Sequence, residues 1–108
     1  MDDKIYKYLL TYGFLPVNKG FKLILESVKI ILKGGKSVCI SDIYKKLSEQ
    51  SGMSVYSVQK NIKNAAYRAE LKSDIDLFNN EFGYLIKDGG GITAGALIHH
   101  IAEAVSEH

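Results

Sequence analysis

The sequence predicts an all-α fold: a single domain, residues 1–108, built as a six-helix bundle that contains a helix-turn-helix at residues 41–71. Three observations lead there. Apolar residues recur at i, i+3, i+4 and i+7, the spacing that lines one face of a helix. Most such runs are bracketed by a residue able to cap a helix start and a glycine able to end it. Apolar residues make up 46% and charged residues 24% of the 108 positions, which is enough to bury one core and too short a chain for two.

The first stripe, Ile5, Tyr8, Leu9 and Tyr12, starts behind Asp2 and Asp3 and ends at Gly13. After the loop Phe14-Leu15-Pro16-Val17, Asn18 is the expected cap of a longer amphipathic helix carrying Phe21, Ile24, Leu25, Val28, Ile31 and Leu32 as far as Gly34-Gly35. Ser41 is the expected cap of a third helix, with Ile43, Tyr44 and Leu47 inward, Lys45 and Lys46 outward, and a stop near Gly52. Ser54 opens a fourth. There Val55, Val58, Ile62, Ala65, Ala66 and Ala69 are expected inward, and Ser57, Gln59, Lys60, Lys63, Asn64 and Arg68 outside or on the flank. Ser73 is expected to cap a short fifth helix through Ile75, Leu77 and Phe78, and Phe82-Gly83-Tyr84-Leu85-Ile86 reads as loop. Beyond Asp88-Gly89-Gly90-Gly91, Thr93 caps a last helix with Leu97, Ile98, Ile101, Ala102 and Val105 inward.

Several functions are disfavoured by what the chain lacks. Cys39 is the only cysteine, so neither an internal disulfide nor a Cys-rich zinc site is expected, and a reducing cytoplasm fits. Between Val38 and Ile40 it reads as a small buried apolar residue, with no histidine in its segment to activate it. The apolar stretch from Val28 to Leu32 is interrupted by Lys29 and far below bilayer length, so no membrane contact is expected. His99-His100 with Glu103 puts two possible ligands at i, i+4 spacing, but only the distant His108 offers a further ligand, so a solvated face and no metal are expected. Gly89-Gly90-Gly91 precedes a helix without the Gly-Lys-Ser/Thr of a phosphate loop and reads as a turn. No cofactor and no catalytic set are expected, hence no enzyme.

A net charge of +2 hides an uneven distribution. Residues 1–40 hold seven lysines against three acids, residues 41–72 six basic residues against three acids, and residues 73–108 one lysine against six acids. A basic front with an acidic tail is the arrangement expected when the first two thirds approach a polyanion. Residues 41–71 then read as two helices joined by a short glycine-containing turn, the second polar and basic on its outer face. In that motif the second helix enters the major groove by its N-terminal half. Gln59 would meet adenine, Lys60 guanine and Ser57 several bases, while Lys45, Lys46, Lys63, Asn64 and Arg68 would meet the backbone, with Tyr56 as the one tyrosine expected to touch DNA.

The stretch YGFLPVNKGFKLILESV from Tyr12 to Val28, then Ser41-Asp42-Ile43-Tyr44-Lys45-Lys46-Leu47, then Val58-Gln59-Lys60-Asn61-Ile62-Lys63-Asn64-Ala65, then Phe82-Gly83-Tyr84 and the last helix occur in one order over nearly the whole chain. In that order they resemble the C-terminal effector domain of the sporulation initiation transcription factor of endospore-forming bacteria, a response regulator. The resemblance implies a six-helix bundle around a helix-turn-helix that binds promoter DNA as a homodimer. It also implies a receiver domain or a full-length regulator as a partner. Where that family presents Arg-Val-Glu-Arg at the start of its recognition helix, this chain has Ser57-Val58-Gln59-Lys60, and Lys does not replace Arg at a bidentate contact. The stretch Ser48-Glu49-Gln50-Ser51-Gly52-Met53-Ser54 also looks longer than the family's by about four residues, roughly one helical turn.

Two functions therefore stand side by side. One is a sequence-specific DNA-binding transcription regulator. The other is a protein-interaction module of the same fold that has lost sequence-specific binding and acts through a partner regulator.

Overall fold

Amphipathic stripes, glycine stops and polar caps do build helices here, and the computed structural model, which describes residues 2–34, 38–72, 74–86 and 91–106, contains six of them with no strand among those residues. They are α1 (Asp2–Thr11), α2 (Lys19–Gly34), α3 (Ile40–Ser51), α4 (Val55–Lys72), α5 (Ile75–Phe82) and α6 (Ala94–Ser106), with a 3-10 turn at Gly83–Leu85 after α5. The radius of gyration is 12.9 Å, close to the roughly 13 Å of a compact domain of this length. The expected positions Gly35, Ser73, Asp88, Gly89, Gly90 and His108 lie outside the described residues.

Two glycines stop helices by adopting positive φ, a conformation that costs a side chain dearly. At Gly13 (φ 89°) its own N–H bonds the carbonyl of Leu10 and the N–H of Phe14 bonds that of Leu9, the paired bonds of a Schellman end. Leu9 and Phe14 are both buried there, so the turn also fastens the chain to the core. At Gly52 (φ 78°) the N–H bonds the carbonyl of Ser48 and redirects the chain from α3 into α4.

Helix α2 is the centre of the bundle and packs most extensively on α4 and α6, with α1 and α3 along its sides. Its close approach to α4 depends on small residues. A Cβ on Gly20 would stand 2.6 Å from the Cβ of Ala65 and closer still to the carbonyl oxygen of Asn61. Ala65, Ala66 and Ala69 form the matching shallow face of α4 beside Val58 and Ile62, all buried. Ser27, fully buried on α2, donates to the carbonyl of Leu23 at 2.6 Å and so leaves no polar atom unpaired. The other half of the core is aromatic: Phe82 has ring contacts with Tyr8, Tyr12, Phe14, Phe78 and His100.

Several local expectations are corrected. Helix α3 starts one residue before the expected Ser41 cap, with Cys39 at the cap position and no side-chain bond closing it. Cys39 is exposed rather than buried, because the residue that opens the helix, Ile40, is the one that turns toward the bundle. Val55, at the first position of α4, is 37% exposed rather than inward. Asp74 caps α5, its carboxylate accepting from the N–H groups of Asp76 and Leu77. The segment expected as loop from Phe82 is helical instead: Phe78 and Phe82, one turn apart, are both fully buried and extend α5 to Phe82, and the 3-10 turn follows. Asn18 does stand at the cap position of α2, where its carbonyl accepts from the N–H of Phe21, and its side-chain oxygen accepts from Arg68 of α4 at 3.3 Å.

Candidate nucleic-acid interface

The two helices of the expected motif pack on each other across the Gly52 turn, with Ile43, Tyr44 and Leu47 of α3 and Val58 and Ile62 of α4 buried between them and the rest of the bundle. The start of α4 is fixed by a chain of short polar contacts. Ser54 Oγ accepts from the N–H of Ser57 at 3.1 Å, satisfying one of the amides that a helix start leaves open. The Asn61 amide donates to the carbonyl of Ser57 at 2.8 Å and reaches Met53 Sδ at 3.6 Å. Ser48 donates to the carbonyl of Met53 from the α3 side. The turn and the first two turns of α4 are thus one polar-bonded unit, which holds the helix axis in a set direction relative to α3.

The outer face of α4 follows from its period. Tyr56, Lys60, Lys63 and Tyr67 stand at i, i+4, i+7 and i+11 and share one side, and all four are exposed. Tyr56 is 73% exposed and Tyr67 62%. Asn64 is exposed beside them, and Arg68 lies further round toward α2, where it is held by Asn18. Lys45 and Lys46 are exposed on α3. Of the three residues expected to read bases, only Lys60 stands fully out. Ser57 is half-buried and takes a hydrogen bond from Ser54 on its hydroxyl, and Gln59 is half-buried on the flank next to Val58. Asn61, which holds Ser57, was not singled out by sequence. Its signal was the position one turn after Ser57, where an amide reaches back to a carbonyl.

The described parts of the face, Tyr56 through Asn64, hold no carboxylate; the acid of α4 is Glu70, further along. Amines, an amide and a phenol in that setting can hydrogen-bond to phosphate and to base edges. A cluster of hydrogen-bonded titratable groups sits elsewhere. Glu81 of α5 accepts from Tyr8 at 2.6 Å and Tyr12 at 3.4 Å, both from α1, and pairs with Nε2 of His100 of α6 at 2.9 Å, while Tyr84 bonds the other ring nitrogen. Burial pushes the Glu81 carboxyl up, but the hydrogen bonds from Tyr8, His100 and Tyr12 outweigh it and hold it below the usual carboxylate range. Burial, then the carboxylate, pushes the Tyr8 phenol far up, so it stays a neutral donor.

His100 is therefore not on a solvated face as expected; its side chain is 14% exposed and clamped between Glu81 and Tyr84, while His99 is exposed. Among the described residues no group of three or more His, Cys, Asp or Glu side chains is placed to hold a metal ion. Cys39 contacts the Ser41 hydroxyl at 3.1 Å, and that bond, with the nearby backbone amides, draws its thiol below the ordinary value. Among the described residues no helix is long and apolar enough to cross a membrane. No protein-family model matches the chain, and no curated protein matches it.

Proposed function

We propose that the chain is a sequence-specific DNA-binding transcription regulator that inserts the N-terminal half of α4 into the major groove, with α3 across the backbone. The observation that carries the reading is the carboxylate-free, exposed face of Tyr56, Lys60, Lys63 and Asn64 on a helix whose start is rigidly capped. Rigidity matters because base discrimination needs donors held in place, whereas non-specific attraction needs only charge. In this reading Lys60 and Gln59 meet base edges, Lys63, Lys45, Lys46, Asn64 and Arg68 meet phosphates, and Ser57 positions the helix through its carbonyl and hydroxyl. The likeness to the sporulation initiation effector domain supports a homodimer on DNA and a receiver domain or full-length regulator as partner. It also supports a role in the bacterial cytoplasm without a catalytic step. Selection of bound duplexes from a random pool tests it: a defined motif is expected, and no enrichment at low salt overturns it. Lys63→Ala should weaken binding to every duplex alike and flatten the log–log salt slope by about one unit.

A second reading is favoured by one observation. Beyond Asn64 the exposed side of the chain turns apolar at Tyr67, Leu71 and, at the start of α5, Ile75, the last two 66% and 62% exposed. A module that acts through a partner protein would use such a surface. No motif enriched from the random pool, together with binding to a full-length regulator that Leu71→Ser abolishes, would favour it.

A further inference from the structure

Alongside the outer face of α4, where its flank meets the start of α2, the surface is notched. The notch measures about 240 Å3 and is lined by Asn18, Lys19 and Gly20 of the α2 start and by Asn61, Asn64 and Arg68 of α4. It exists because Gly20 has no side chain. A Cβ there would press on Ala65 and on the backbone of Asn61, so α2 lies against α4 closely enough for the two helices to share one polar rim. The Arg68 to Asn18 bond ties that rim together and uses one guanidinium N–H of five, leaving donors for a ligand. Among the described residues no carboxylate lines the notch, and the first turn of α2 carries none.

We propose that this notch grips a phosphate of the DNA backbone, with Lys19 as a phosphate contact and Asn18 positioning Arg68 for it. The inference rests on the reading of α4 as the helix in the major groove and assigns what holds the wall of that groove. Asn64 is about 40° and Arg68 about 80° round the helix from Lys60, at 100° per residue. A helix seen from the groove floor presents its tip to the bases and its flanks to the phosphate walls. Lys60 then points to the floor, which Gln59, 100° round the other way and near the helix tip, reaches from the opposite flank, while Asn64, Arg68 and Lys19 face one wall. Two helices contribute to the grip, so it also sets how deeply and at what angle α4 lies.

Fluorescence anisotropy on the full chain with a random-sequence duplex tests this, since a phosphate contact is independent of sequence. The variants are Lys19→Gln and, as control, Lys33→Gln at the far end of α2, about 21 Å away along the helix and beyond the Debye length at physiological salt. Lys19→Gln should make the log–log salt slope shallower by about 0.9, so that its deficit against the parent shrinks about 3.5-fold between 50 and 200 mM salt. Lys33→Gln should leave the slope unchanged, and both variants should keep the parent's thermal midpoint. Asn18→Ala should weaken binding with the slope intact, because it removes no charge. Equal flattening in both lysine variants would mean overall charge alone and overturn the notch. An unchanged slope in Lys19→Gln would do the same while leaving the DNA-binding reading standing. Failure of the parent chain to bind any duplex at low salt would overturn both.

Discussion

Replacing Gly20 with alanine separates two opposite effects of one methyl group. In an exposed helix the change stabilises, because glycine costs about 1 kcal/mol of backbone entropy relative to alanine. At Gly20 the new Cβ would stand 2.6 Å from Ala65 Cβ and closer still to the Asn61 carbonyl oxygen, and backbone has no rotamer by which to give way. Overpacking of this kind costs about 1–3 kcal/mol, and an unyielding neighbour puts it at the upper end, so a net loss of about 2 kcal/mol is expected. With an unfolding entropy of roughly 2.1 cal/mol/K per residue over this chain, that lowers Tm by about 9 °C. Gly95, in the first turn of α6, is the control. A Cβ there meets Ile40 at 3.5 Å and Tyr44 at 3.6 Å, ordinary contact distances, so Gly95→Ala should gain about 0.5–1 kcal/mol and raise Tm by about 2–4 °C. Calorimetry of the two variants beside the parent decides it. A Gly20→Ala variant as stable as the parent would refute the close α2–α4 crossing, and with it the shared rim of the notch.

The Glu81 cluster should make stability depend on acid. Its carboxyl lies below the usual range in the folded chain, so the stabilisation is present above the unfolded value, about 4.3, and is lost as pH falls through the folded one. The Tm difference between the parent and Glu81→Gln should therefore be largest near neutrality and close below about pH 4; a difference constant with pH would contradict the linkage. Ser54→Ala should cost about 1 kcal/mol by exposing the Ser57 amide, measured by denaturant midpoint, and no loss would show that the cap adds nothing. Gln59→Ala should cost about 1–3 kcal/mol on the selected duplex and much less on a scrambled one, read by competition binding. Equal loss on both would make Gln59 a backbone contact, and no loss on either would remove it from the interface.

The helices and their ends were legible because they are local properties. Stripes such as Phe21, Ile24 and Val28, or Leu97, Ile98 and Ile101, repeat within a turn or two and were buried as their spacing predicts. Gly13 and Gly52 stop helices by a backbone preference that needs no partner, and Ser54 and Thr93 cap by bonds three residues long. The Phe78 and Phe82 pair carried a signal of the same kind, one turn apart, which extends α5 through what reads as loop.

What the pattern could not contain were the partners that arrive from far along the chain. The role of His100 depends on Glu81, nineteen residues away, and that of Glu81 on Tyr8, seventy-three residues away. Asn18 stands before α2 as its neighbours predict, but the partner of its side chain, Arg68, lies fifty residues on. The apolar neighbours of Cys39 predict burial, whereas the direction of α3 decides which of three adjacent residues turns outward. Gly20 shows the same division: composition made it an ordinary glycine near a helix start, and only the α4 backbone pressed against it explains why a side chain has no room there. Local sequence determined which segments are helices and which side of each is apolar, since both follow from bonds and spacings within a few residues. Tertiary packing alone decided which polar side chains meet, because a hydrogen bond between distant residues exists only once the helices that carry them have been set at a particular distance and angle.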